Sequence, residues 1–226
     1  MEIIQFEVFG LHLQEPMALL TNWMIAGFSF FAYFNLKRNV SVFQNYWRNF
    51  YLILGISMLI GGLSHLFFHY TGIQGKFPSW SLGVLAAAFS SFAIISIWPN
   101  EKQQKSLWIF VIAKSIILLV VAIASRNFLF VAIDNSLAYL FFCGYMGYKL
   151  FKKNYADMKY IVIGVLVLSP SAFIFGLKLN LHRFLNKDDL SHFFIIGCIA
   201  FFYMGVKRMQ TSEVKLTANE IWKNPR

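Results

Sequence analysis

Residues 107–125 read LWIFVIAKSIILLVVAIAS, nineteen positions of which one, Lys114, is charged. A helix needs about 20 mainly apolar residues to cross about 30 Å of hydrocarbon, so this stretch predicts a membrane-spanning helix. The same criterion, worked outward, gives six more: Met17 to Leu36, Phe50 to Tyr70, Trp80 to Trp98, Phe128 to Leu150, Tyr160 to Leu177 and Asp189 to Val206. Composition agrees, with 58% hydrophobic and 13% charged residues, where soluble domains carry about 25% charged. The expected fold class is an all-α integral membrane protein, a seven-transmembrane helix bundle over residues 1–209 with a short cytoplasmic tail at 210–226.

The start, MEIIQFEVFGLHLQEP, is acidic where a secretory signal would be basic, and reads as mature sequence. Pro16 and Pro78 precede spans and Pro99 follows one, as helix ends allow. Pro170 lies inside span six and is expected to kink it. Tyr46, Trp47, Trp80, Trp98 and Trp108 fall at expected ends, the pattern of an interfacial aromatic belt. Cys143 and Cys198 sit in apolar spans, where a thiol behaves as a small hydrophobe and no disulfide is expected.

The net charge of +10 is dispersed over loops and tail, with no single patch for nucleic acid. Of the 20 Lys and Arg, setting Lys114 aside, five (Lys76, Arg126, Lys178, Arg183, Lys187) fall on one side of the spans and the remaining 14 on the other. Basic loops stay cytoplasmic. This places the N-terminus outside and the C-terminus in the cytoplasm, which requires an odd number of spans.

Ionisable side chains inside spans are costly and by default raise a functional hypothesis. Here they are His65, His69, Lys114, Asp134, Asp188, Asp189 and His192. With seven spans and the N-terminus outside, the histidines and aspartates fall toward one leaflet, and Lys114 nearer the other side. His65 and His69 are four apart, and Asp188 and Asp189 are four and three from His192, so each set would share a helix face. Imidazoles and a carboxylate suit zinc. The expected metal ligands are His65, His69, His192 and Asp189, with Asp188 the alternative carboxylate; Asp189 is alternatively a base, and Asp134 either hydrogen-bonds a ligating imidazole or acts on bound water. His182 is a weaker candidate, and Ser57 and Ser64 are candidate donors to a substrate oxygen.

Other readings stay open. The histidines could join helices as polar glue, one of Asp188 and Asp189 could cap span seven, and Asp134 could pair with Arg126 or Asn135. Lys114 could snorkel or pair with another helix. Span seven has no lysine between His192 and Val206 for a retinal Schiff base.

The segment Gly62-Leu63-Ser64-His65-Leu66-Phe67-Phe68-His69-Tyr70-Thr71 resembles the second-helix motif of alkaline ceramidases, in which a glycine precedes a serine and a histidine follows that serine by four. These belong to the CREST superfamily of seven-helix membrane hydrolases, which also includes adiponectin and progestin receptors. The resemblance implies zinc held by one histidine of helix two and a histidine pair of helix seven, here His69 and His192. Three positions depart from it. His65 stands at the family serine, Asp188 at the first histidine of the last pair, and Trp80 and Ser81 where an aspartate is expected. His65 is then the replacement ligand for the histidine missing at 188. The expected function is a zinc-dependent hydrolase of a lipid amide or ester near the outer membrane face; the alternative is a non-enzymatic receptor or accessory protein with a structural metal or none.

Overall fold

The computed structural model describes residues 4–177, 179–182 and 185–223, with side chains as far as Gln210. Lys178, Arg183 and Arg226, which enter the charge count, lie outside the described residues, as do the side chains of Lys215 and Lys223. Among the described residues, seven helices are long and apolar enough to cross a membrane. They are span one, Pro16–Asn35; span two, Val42–Leu66; span three, Phe77–Ser96; span four, Glu101–Ser125; span five, Leu129–Lys152; span six, Met158–Gly176; and span seven, Lys187–Lys223. Span seven carries on through the expected start of the tail.

Spans two and four begin well before apolar length suggests, and side-chain caps explain both. Ser41 Oγ accepts from the Gln44 backbone N–H at 3.3 Å, starting span two at Val42. Asn100 Oδ1 accepts from Gln103 N–H at 3.1 Å, starting span four at Glu101. Each oxygen satisfies a donor that the first helical turn leaves open. Span two also ends earlier than expected, at Leu66. A short helix, Phe68–Thr71, and a 3₁₀ turn, Gly72–Lys76, lead to span three.

Span six runs through Pro170 to Gly176 without a break. Proline has no N–H for the carbonyl four residues back, and Ser169 Oγ donates to that acceptor, Leu166 O, at 2.8 Å. Within apolar surroundings such replacement is what keeps a proline tolerable. Span five changes from α to π geometry over Leu137–Met146, a departure its sequence does not announce.

The interior is aromatic and close-packed. Trp47, Phe50, Tyr51 and Phe202 are fully buried, and the Tyr51 hydroxyl donates to Ile199 O at 2.8 Å. Trp47 and Trp80 are buried, which corrects their expected role as interfacial anchors. Trp98 fits a helix-end position better, its indole N–H donating to Gln103 Oε1 at 2.7 Å. Spans six and seven meet at Gly164, where a Cβ would lie 2.9 Å from Cys198 O, so only glycine allows this approach. The outward faces are apolar too. Ile109, Ile116, Ile117 and Val120 of span four are all exposed, a surface suited to lipid and not to water.

Before span one, Gln5–Val8 (β1) and Leu11–Gln14 (β2) form an antiparallel hairpin. Phe9 and Gly10 both have positive φ, at 51° and 76°. That pairing is the signature of a tight two-residue turn matched to strand twist.

Candidate polar site at the N-terminal end of the bundle

Four segments bring polar side chains together. Glu15 closes the hairpin, Thr21 lies one turn into span one, His65 is in the last turn of span two, and Lys76 ends the 3₁₀ turn. Glu15 Oε2 is 2.6 Å from His65 Nδ1. A carboxylate only accepts, so Nδ1 carries the hydrogen. Lys76 Nζ is 3.3 Å from Nδ1 and 3.4 Å from Nε2 of the same ring. Near-equal distances place the ammonium beside the ring edge between the nitrogens or over its face, away from the line of the Nε2 lone pair.

Burial works against the Glu15 carboxylate, but the His65 hydrogen bond and charge, then Lys76 and Lys187, outweigh it and hold its pKa below the usual 4.5.

Span seven supplies the other half. Thr21 Oγ1 is 2.7 Å from His192 Nδ1, 3.0 Å from Met17 O and 3.4 Å from Asp189 Oδ1. With the hydroxyl hydrogen on Met17 O, His192 Nδ1–H donates to Thr21 and its lone pair lies on Nε2. Asn186 Oδ1 accepts from the Asp189 N–H at 3.1 Å, while Asp189 Oδ2 accepts from the Asn186 N–H at 3.2 Å. This reciprocal pair is a capping box. Asp189 thus caps span seven through Oδ2 and keeps Oδ1 toward Thr21. Asp188 pairs with Lys187 at 2.6 Å. His65 and Glu15 lie close enough to Asp189 for their charges to act on it.

The structure therefore brings His65, Asp189 and His192 into one region and separates two other expected members. His69 is exposed on the short helix beyond the end of span two, its ring 5.3 Å from that of His12 and 5.0 Å from Tyr70. The expected shared face with His65 fails because the helix stops at Leu66. Asp134, on span five, is engaged by span four: Lys114 Nζ is 2.5 Å from its Oδ1, and Ser115 Oγ donates to the same oxygen at 3.0 Å. Its expected contact with an imidazole, or with Arg126 or Asn135, is replaced by this buried pair. Ser64 Oγ turns back to Gly61 O at 2.8 Å, and Ser57 Oγ donates to Ser79 O at 2.8 Å. His182 forms a bridge with Leu185 in the loop before span seven.

Three carboxylates (Glu15, Asp188, Asp189) face two ammonium groups (Lys76, Lys187) here, an excess of negative charge. Nitrogen and oxygen donors under such an excess suit a divalent cation. Both imidazoles also have Nδ1 fixed by an oxygen, the arrangement that orients metal-ligating histidines. Among the described residues, however, no group of three or more His, Cys, Asp or Glu side chains is gathered within metal-holding range. A cleft of about 400 Å³ lined by Trp98, Lys102, Phe141, Tyr145 and Lys149 contains none of these residues and lies where span three ends and span four begins.

Residues 17–211 match a family of unknown function, DUF6962. The chain belongs to that family. The DUF6962 match takes in Thr21, His65, Lys76, Asp189 and His192 and begins just after Glu15 and the hairpin. No curated protein and no solved structure matches the chain.

Glu15, Thr21 and Lys76 escaped the sequence reading. Glu15 and Lys76 lie outside the expected spans, so the cost of intramembrane charge did not flag them. Asn186 and Asp189, three apart before an apolar run, carry a readable capping signal.

Proposed function

We propose that this protein is a zinc-dependent membrane hydrolase of a lipid amide or ester, remotely related to the alkaline ceramidases, with its site on the outer face and its N-terminus outside. The observation that carries the reading is the pair of imidazoles on spans two and seven, each with Nδ1 engaged by an oxygen and Nε2 left as the ligand atom. His65, His192 and Asp189 would hold the ion. His69 and Asp134 drop out of the set. The chemistry zinc supplies in such a site is polarisation of a scissile carbonyl and of water.

The chain's own groups have distinct tasks. Glu15 fixes the ring of His65, and Thr21 does the same for His192. Asp189 Oδ1, the oxygen outside the capping box, is positioned to ligate or to accept a proton. Lipid approaches sideways, since the surrounding outward faces are apolar. The test is to load the purified protein with zinc, add mixed ceramides and phospholipids, and assay released fatty acid. Release abolished by His65→Ala and Asp189→Asn supports the hydrolase.

One observation favours a second reading. Glu15, His65 and Lys76 form a contiguous polar chain, carboxylate to imidazole to ammonium, which would clasp spans one to three in a non-enzymatic receptor or accessory protein. No product from any lipid class would favour it.

A further inference from the structure

The hairpin's two faces differ in chemistry. Its register pairs Phe6 with Leu13 and Val8 with Leu11, and on the other face Gln5 with Gln14 and Glu7 with His12. Cross-strand partners share a face, so one face is wholly apolar and the other wholly polar. In a hairpin that merely covers a soluble core, the apolar face would turn inward. Here the apolar face is half-buried only at its base, at Phe6 and Leu13, and its outer pair is left uncovered; on the polar face Gln14 is buried and the His12 ring lies against His69, while Gln5 and Glu7 are exposed. The His12 backbone N–H donates to the Tyr70 hydroxyl at 2.9 Å. Val8 and Leu11 are exposed, and Phe9 at the turn is 100% exposed.

We infer that this hairpin lies in the membrane interface, with Val8, Phe9 and Leu11 inserted among the lipids of the leaflet at the N-terminal end of the bundle. Position fixes the occupant. β2 ends at Gln14 and span one begins at Pro16, so the hairpin sits at the depth where that helix leaves the bilayer. The apolar surface continues along span one through exposed Leu20, Trp23 and Met24. Aromatic and aliphatic side chains opposed by a polar face are the pattern of an element lying in the headgroup boundary. Glu15 joins the hairpin to His65, so lipid contact at the tip and the polar site belong to one connected segment.

Cys143 and Cys198 are both buried, which leaves an introduced cysteine as the accessible thiol. Spin labels at Val8→Cys, Phe9→Cys and Leu11→Cys, with Glu7→Cys as the polar-face control, are compared in protein reconstituted into phosphatidylcholine vesicles. Collision with oxygen reports lipid, and collision with a water-soluble nickel chelate reports water. The inference expects oxygen to dominate at 8, 9 and 11 and nickel accessibility there to be several-fold below that at 7. Equal nickel accessibility at all four positions places the hairpin in water and overturns it. Exclusion of both reagents at 8, 9 and 11 would show a protein partner or second copy on this face, and also overturns it. Three independent positions keep the outcome decisive if one variant fails to fold.

Discussion

Glu15 Oε2 stands 2.6 Å from His65 Nδ1, tying the residue before span one to the last turn of span two. Both side chains are largely buried, at 19% and 17% exposed. Hydrogen bonds to charged groups contribute about 1.5 to 3 kcal/mol, so Glu15→Ala is expected to destabilise the protein in detergent on that scale. Zinc titration should show about 10- to 100-fold weaker binding, the usual effect of removing a group that orients a ligating histidine. An unchanged unfolding midpoint would contradict the contact.

The same carboxylate sets a pH dependence. Its pKa is held below 4.5, against burial, by His65 first and then by Lys76 and Lys187. The folded protein therefore binds this proton more weakly than the unfolded chain. Its contribution is fully present above pH 4.5 and is lost as pH falls through the lower folded value. The gap in melting temperature between wild type and Glu15→Gln should narrow in that acid window. A gap that stays constant through it would assign the stability to another group.

Asp134 is fully buried and its cation is Lys114. Removing one partner of a buried pair leaves an uncompensated charge and costs about 3 to 5 kcal/mol. Lys114→Met should therefore be severely destabilised, and Lys114→Met with Asp134→Leu should recover most of the loss. Equal unfolding midpoints for the single and double variants would show that the pair is not coupled.

At Gly164 an added Cβ would meet Phe202 Cδ1 at 2.8 Å as well as the Cys198 carbonyl. Forcing atoms into a packed core costs about 1 to 3 kcal/mol. Gly164→Ala should lower the unfolding midpoint accordingly, whereas Gly176→Ala, with open space around it, should not.

Apolar length alone was enough to read seven helices, because a span long enough for hydrocarbon is a local property of sequence. The meeting of His65 with Asp189 and His192 was legible from the same spans, since alternate direction brings the end of one to the start of the other. Pairing was not legible. Lys114 and Asp134 each look anomalous alone, and only the packing of spans four and five makes them partners. His69 misled because its spacing from His65 assumes a helix that stops at Leu66. Trp47 and Trp80 misled because an aromatic near a span end packs equally well inside. The hairpin is written in alternating Phe6, Val8, Leu11 and Leu13 around Phe9-Gly10, but Phe-Gly lacks the Asn-Gly or Asp-Gly signature of a two-residue turn.

The most direct test of the proposed site is zinc stoichiometry in the purified, folded protein and its histidine variants. The account predicts zinc bound by the wild type, lost in His65→Ala and in His192→Ala, and retained in His69→Ala. A folded wild type that binds no zinc when the metal is supplied, or one that loses it in His69→Ala while keeping it in His65→Ala, would contradict the account.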